Sequence, residues 1–480
     1  MLTALLLSVT FSAGPVKPGP VKPGPVAVAP PARVNILWII GEDVGPEFGC
    51  YGHPHAHTPR VDALAAEGVR FERAFTVTPV CSTSRSALMT GHYPWSFGAH
   101  NHRSHRDGGN PLTGDVRLLT HRLREAGYYT ANIRRFGAGS ALRGTGKTDW
   151  NFTVEGDAFD GDRWQDLAAN QPFYAQVNFP ETHRGAAWKK AQQTAEPKVS
   201  ADEVTPPAAY PDHPRVRQSW AEYLNAVNRL DAKVGAVLDR LEADGLAETT
   251  VVVFLGDHGR AMPRGKQWPY DSGLRIPMVV RLPEAMKRPT RYAAGGTHAG
   301  LVESIDLTAQ TLQWAGMPVP TGLHGRPFWG DAVTPRQYAH GGRDRGDETV
   351  DRIRTLRDER YRYIRNYMPQ RPYSQRNRYK ENQYPVVRLM QQMKADGSLP
   401  ADSYFAAERK PREELYDLSA DPDEVHNLAD DPAHRERLLR MRRDLEAWLR
   451  HVGDEGRFPE DPDVIEAAEE QMRANYAGPK

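Results

Sequence analysis

The 480-residue chain is 39% hydrophobic and carries 62 Lys+Arg against 61 Asp+Glu, a formal charge of +1. At roughly 150 residues per domain this length allows two to four domains and a sizeable core. The charge balance excludes a protein whose main task is to coat nucleic acid or anionic membrane, and two cysteines, Cys50 and Cys81, exclude a disulfide scaffold.

The chain opens on an apolar run, Leu2–Phe11, followed by small residues at Ser12, Ala13 and Gly14. This pattern predicts a signal peptide over 1–13 and an exported, periplasmic or secreted protein, although no positive n-region precedes the run. A proline-rich five-residue repeat, Gly14–Val26, then predicts an extended linker over 14–33. No later run approaches membrane-spanning length. From Val34 the pattern alternates. Val34–Ile40, Phe173–Phe179 and Thr249–Leu255 are short, continuous apolar runs of the kind buried parallel strands show, with helix-like stretches such as Val116–Glu125 and Trp220–Ala243 between them. The expected fold is α/β, a mostly parallel central sheet flanked by helices, over 34–329. Ligands of such sheets bind beyond the carboxyl ends of the strands. Each of the three predicted strands empties there into a charged loop: Gly41–Gly45, Pro180–Gly185 and Gly256–Gly259.

Past Ile305–Ala315 the texture changes, and a smaller C-terminal α+β domain is expected over 330–459, with a loosely packed tail over 460–480. Arg352–Lys380 holds ten basic residues against Asp358 and Glu359. It reads either as the lining of a cleft for an anionic polymer or as a solvated strand face. Arg412–Pro432 reads as a strand and turn, and Ala433–His451 as an amphipathic helix.

The segment richest in chemistry is Thr78–Pro94 (TPVCSTSRSALMTGHYP). Cys81 stands just before a helical stretch, Arg85–Met89, where a helix N-terminus favours anions and lowers a thiol pKa. Arg85 can aim a bidentate donor at the same anion.

Cys81-Ser82-Thr83-Ser84-Arg85 with Leu88-Met89-Thr90-Gly91 resembles the signature of the sulfatase family, within the alkaline-phosphatase-like group. The resemblance runs over nearly the whole chain from Val34. It takes in Asn35–Gly45, a helix over Thr58–Phe75, Gly256–Gly259, Glu303–Gly316 and the closing EELYDLSADPDEVHNLADDP, and it looks closest to the N-sulfoglucosamine sulfohydrolase branch. It implies a sulfuric ester or sulfamate hydrolase acting on a sulfated carbohydrate, with no nucleic-acid partner.

In that family a formylglycine-generating enzyme oxidises the motif cysteine, here Cys81, to formylglycine (3-oxoalanine). One hydroxyl of the hydrated aldehyde attacks sulfur, and the other later expels sulfate. Position 83 is Thr, where the usual modification motif has Pro or Ala. One divalent cation, with calcium favoured by the oxygen ligands, is expected on Glu42, Asp43, Cys81, Asp257 and His258. By the same resemblance His183 protonates the leaving group and Lys266 holds a sulfate oxygen. Arg135 replaces the family's lysine, and Gly137 replaces the histidine that helps expel sulfate. Lys147 is a candidate substitute cation. His100 and His102 are candidates for the missing histidine, each expected to be a solvated loop residue. Thr83 and the altered Arg134–Gly139 segment keep two alternatives open: a phosphodiesterase or phosphonate hydrolase of the same superfamily without formylglycine, or an inactive carbohydrate-binding relative.

Overall fold

The computed structural model describes residues 33–105, 109–136, 143–284, 286, 292–330 and 333–476. The expected signal peptide, nearly all of the linker and Gly137 lie outside the described residues.

Among the described residues nine strands form the central sheet: β1 (Asn35–Gly41), β2 (Val69–Phe75), β3 (Tyr129–Arg135), β4 (Gly161–Arg163), β5 (Phe173–Phe179), β6 (Thr250–Gly256), β7 (Arg275–Ile276), β8 (Met278–Arg281) and β9 (Gly296–Glu303). Their order is β4-β3-β5-β1-β6-β8-β2-β7, with β9 on β2. From β4 to β6 every neighbour is parallel, and β8 and β7 are the antiparallel members. The sheet is thus α/β and mostly parallel, as the alternating pattern predicts.

Burial on both faces explains the apolar runs. Leu37 and Ile39 of β1 face one core, with Leu224, Val227, Leu230 and Val234 of the long helix Pro214–Ala243. Ile36, Trp38 and Ile40 face the other, with Leu88, Met89, Leu307 and Leu312. Each such side chain contributes roughly 1.5–3 kcal/mol of burial.

The helix expected over Thr58–Phe75 is only half helix. Helix α1 (Pro59–Glu67) stops before Gly68, where a Cβ would lie 2.4 Å from the carbonyl oxygen of Val280. The chain then enters β2 as VRFERAF, with Val69 and Phe71 buried and Arg70 and Glu72 less so. Period-2 alternation wins there over the helical run before it.

A second, antiparallel sheet follows in the order β10 (Ala339–Arg343), β11 (Ile353–Arg357), β12 (Tyr361–Asn366) and β13 (Glu413–Asp417). Leu356, Tyr363 and Leu415 pack there on Leu438, Met441, Leu445 and Trp448 of the helix Arg435–Val452. Neither reading of the Arg352–Lys380 stretch describes its two central arginines, which are buried struts. Arg354 is fully buried between Asp344 and Asp454, and Arg362 is paired with Glu424 at 2.8 Å. Buried charges persist only when paired in this way. Beyond Pro459 the chain forms a helix, Pro462–Asn475, capped by Asp461 and burying only Met472. No helix among the described residues is long and apolar enough to cross a membrane.

Candidate active site

Three neighbouring strands end level with one another: Gly41 of β1 is in register with Phe179 of β5 and Gly256 of β6. The backbone beyond them is cross-tied. Glu42 N donates to the Phe179 carbonyl at 3.0 Å, Asp257 N to the Gly41 carbonyl at 3.0 Å, and Asp43 N to Asp257 Oδ1 at 2.9 Å. Gly256 has to be glycine, because a Cβ would sit 2.6 Å from the Val44 carbonyl oxygen. Asp43 is held at φ 52°, and nearby Arg103 and Gln267 at 61° and 69°. Left-handed non-glycine residues cost on the order of 1–3 kcal/mol each and collect where function demands a fixed geometry.

Over these strand ends stands helix α2 (Cys81–Thr90), every residue of it buried. It begins at Cys81 itself, four residues earlier than the sequence suggested, with Val80 as an extended N-cap. The sulfur therefore sits in the first helical turn, where the aligned peptide dipoles favour negative charge. Cys81 Sγ lies 3.3 Å from His258 Nε2, 3.5 Å from Lys266 Nζ and 3.7 Å from Asp43 Oδ1. Thr83 turns inward, its hydroxyl 2.7 Å from that of Thr78 and donating to the Val80 carbonyl at 3.2 Å.

Asp43, Cys81, Asp257 and His258 offer ligand atoms that all lie within 4.8 Å of one another, and all four are buried. His258 Nδ1 is 3.0 Å from the Gly259 carbonyl. A proton on Nδ1 would be spent there, leaving the Nε2 lone pair toward the carboxylates, as in metal-bound histidines. Asp257 and Asp43 overcome the burial penalty and raise the His258 imidazole to about 10. Two buried carboxylates facing an imidazole nitrogen that can coordinate, 3.0 Å from Asp43 Oδ1 and 3.8 Å from Asp257 Oδ1, make a donor set that fits a divalent cation. Among the described residues Glu42 is not part of that close group. Its Oε2 is 2.8 Å from Lys147 Nζ, and despite the burial penalty Lys147 and Arg85 keep its carboxyl below the usual range.

Arg85 donates from Nε to Asp257 Oδ2 at 3.0 Å and from Nη1 to Asn178 Oδ1 at 2.5 Å. Its Nη2 is 3.0 Å from Asp257 Oδ2 but off hydrogen-bond geometry, so one donor of the buried fork is unspent. Lys266 Nζ bonds both oxygens of Asp43, at 3.0 and 2.8 Å. Against the burial penalty, Lys266 draws the Asp43 carboxyl well below its usual range. The geometry thus gathers Cys81, Arg85, Lys147 and Lys266 with the acidic loops: buried cations, an anion-favouring helix end and a sulfur.

The remaining candidates are placed less uniformly, and His183 is near enough for Lys266, Asp43, Glu42 and Lys147 to act on its ring. His183 is half-buried, its backbone N donating to the Pro180 carbonyl and its ring 6.0 Å from that of Tyr379. Burial and Lys266 lower it to about 4, so it does not titrate near neutral pH in the free protein. Arg135 is exposed at the end of β3 and makes no ion pair with the cluster among the described residues. His102 is no solvated loop residue: it is buried with Nδ1 2.7 Å from Ser82 Oγ, and burial and Arg103 push it to about 3. His100 is half-buried. Cys50 is inert, its thiol pushed up to about 12 by burial and Asp62.

Sequence reasoning passed over Asn178 and Asn132. Asn178 Nδ2 donates to Asn132 Oδ1 at 3.2 Å, and the pair anchors Arg85 from β5 and β3. The signal was present: a lone asparagine in the apolar run FYAQVNF is a polar group whose burial demands a partner.

The family model described as Sulfatase matches residues 34–317. An ulvan-active sulfatase of Formosa agariphila is 32% identical over 477 residues, covering 90% of this chain and 77% of the relative. The human N-sulphoglucosamine sulphohydrolase is 26% identical over 86% of this chain and 89% of its own. Among solved structures, a 2-O GAG sulfatase superposes with a TM-score of 0.64 at 18% identity, over 90% of this chain and 96% of that one.

Proposed function

The chain belongs to the sulfatase family and is a sulfuric ester hydrolase, and from that premise we propose that it removes sulfate from a sulfated carbohydrate through a nucleophile made from Cys81. The observation that carries this reading is the buried sulfur at the head of α2, within 4 Å of Asp43, His258 and Lys266. Oxidation of Cys81 to formylglycine by a maturation enzyme would supply a hydrated aldehyde at that point. A divalent cation on Asp43, Asp257 and His258, calcium by preference for oxygen donors, would neutralise charge on a sulfate oxygen. Arg85, Lys266 and Lys147 orient the sulfate by charge-assisted hydrogen bonds, with Asn178 and Asn132 fixing the Arg85 fork. His183 is the group assigned to the leaving oxygen or nitrogen. The carbohydrate substrate, as sulfate ester or sulfamate, is supported by the two relatives, an ulvan-active sulfatase and an N-sulphoglucosamine sulphohydrolase. Export is supported by the apolar run Leu2–Phe11.

Mass spectrometry of the tryptic peptide Ala74–Arg85 from the native host tests the nucleophile. An aldehyde at position 81 is expected; an unmodified thiol in every molecule sinks this mechanism. The metal assignment is tested separately. Asp257→Asn keeps the volume and one acceptor for the backbone N–H groups of Asp43 and His258. It is expected to weaken binding of the divalent ion by at least about 100-fold, beyond the usual cost of losing an outer partner. Stoichiometric metal retained by an Asp43→Ala/Asp257→Ala protein in elemental analysis would remove this site.

A further inference from the structure

A cavity of about 460 Å³ opens where β2 and β7 of the central sheet meet the β11–β12 hairpin, and it shares no lining residue with the cluster around Cys81. That volume falls within the roughly 300–1,000 Å³ of small-ligand pockets. Five arginines line it, Arg70, Arg73, Arg275, Arg357 and Arg360, against two glutamates, Glu72 and Glu359. Several of the cations are already spent: Arg360 on Asp417, Arg275 Nε on the Glu72 carbonyl, and Arg73 in a looser 3.7 Å contact with Glu359. Arg357 is different. It is 6% exposed and packs over the Phe75 ring, and neither its Nε nor its Nη1 has a hydrogen-bond partner. Its ion-pair partner, Asp271 at 3.3 Å, is shared with Arg362. Arg70, stacked over Tyr51, likewise has an unpartnered buried Nε. Buried guanidinium N–H groups left unmade are costly, so three such groups on two arginines that line one cavity favour an anion there.

We propose that this cavity is a second saccharide site, taking a sulfate- or carboxylate-bearing unit of a polymer away from the catalytic centre. Planar forks suit sulfate and carboxylate oxygens, while Glu72 and Glu359 accept from sugar hydroxyls, which a bare anion lacks. The Tyr51 ring and Leu418 supply apolar surface for a sugar face. The choice of a saccharide rests on the carbohydrate reading of the catalytic site. Such a site would hold the enzyme on the polymer between turnovers and raise the effective concentration of sulfate groups.

The test compares the full chain with Arg70→Gln/Arg73→Gln and, separately, Arg357→Lys, which keeps the charge but removes the fork. Affinity is measured for ulvan oligosaccharides and for a heparin tetrasaccharide, and turnover with 4-nitrophenyl sulfate. At least one probe should bind at least about tenfold more weakly to both variants, the scale of one charged hydrogen bond, while aryl sulfate turnover stays unchanged. Equal affinity of all three proteins for both probes overturns the site. Inorganic sulfate binding as tightly as the saccharide, at an ionic strength where chloride does not compete, overturns the saccharide in favour of a simple anion. Arginine-dependent saccharide binding in a protein that hydrolyses no sulfate ester would uphold the cavity and overturn the catalytic reading instead.

Discussion

Cys81→Ala is expected to lower kcat on every sulfate ester by more than about 10⁴-fold, since removing a nucleophile costs up to about 10⁶ where it has been measured in other hydrolases. The fold should tolerate it. Alanine is the best helix former, and the first turn of α2 is held by contacts that do not involve the sulfur, such as Thr83 to Val80 and Ser86 to Ser82. The proposed cation ligands also persist: Asp43 keeps Lys266 and the carboxylates keep His258. The variant should therefore retain metal by elemental analysis and an unchanged circular dichroism spectrum while turnover disappears. That combination separates loss of the nucleophile from collapse of the site. Activity within tenfold of the wild type, with aldehyde absent from both proteins, would reassign the chemistry to metal-assisted attack by water and empty Cys81 of its role.

What could be read in advance follows from where burial is two-sided. β1, β5 and β6 are shielded on both faces, so their sequences are apolar without interruption and their ends are marked by the charges that follow. The acidic loops were legible because charge follows each apolar run directly, and Cys81 because the segment Cys81–Gly91 resembles the family signature. The half-buried elements were harder. β2 hides behind α1 because seven residues of alternating character cannot be told from the last turns of an amphipathic helix until Gly68 meets Val280. The arginines of β11 and β12 failed for a related reason. Composition counts Arg354 and Arg362 as surface charge, and only the tertiary fold reveals Asp344, Asp454 and Glu424 as their partners, none of them inside the arginine-rich segment itself. Lys147 shows the opposite case. Its distance in sequence from Glu42 says nothing about contact, yet the loop after β3 delivers its ammonium 2.8 Å from that carboxylate.

His183→Ala is expected to cost at least about 100-fold on a sulfated sugar, the lower end of general-acid catalysis, and far less on an aryl sulfate. A sugar alkoxide or amine leaves only with a proton, whereas a phenolate leaves without one. The environment of His183 sharpens the expectation. Burial and Lys266 favour the neutral ring, Asp43 and Glu42 oppose them, and the balance leaves the group at about 4 in the free protein. At neutral pH only a small fraction of free enzyme carries the acid, so kcat/KM on a sugar sulfate should climb as the pH falls toward about 4. The anionic ester, once bound beside the ring, adds negative charge and raises that pKa, so kcat should show the same limb displaced to higher pH. His183→Ala should flatten both profiles on the sugar substrate and leave the aryl sulfate profiles nearly as they were. A histidine that only binds sulfate makes a different prediction, because both substrates present the same sulfate to it. Equal losses on the two, with the sugar profile unchanged in shape, would remove His183 from the acid role and leave it as a sulfate contact.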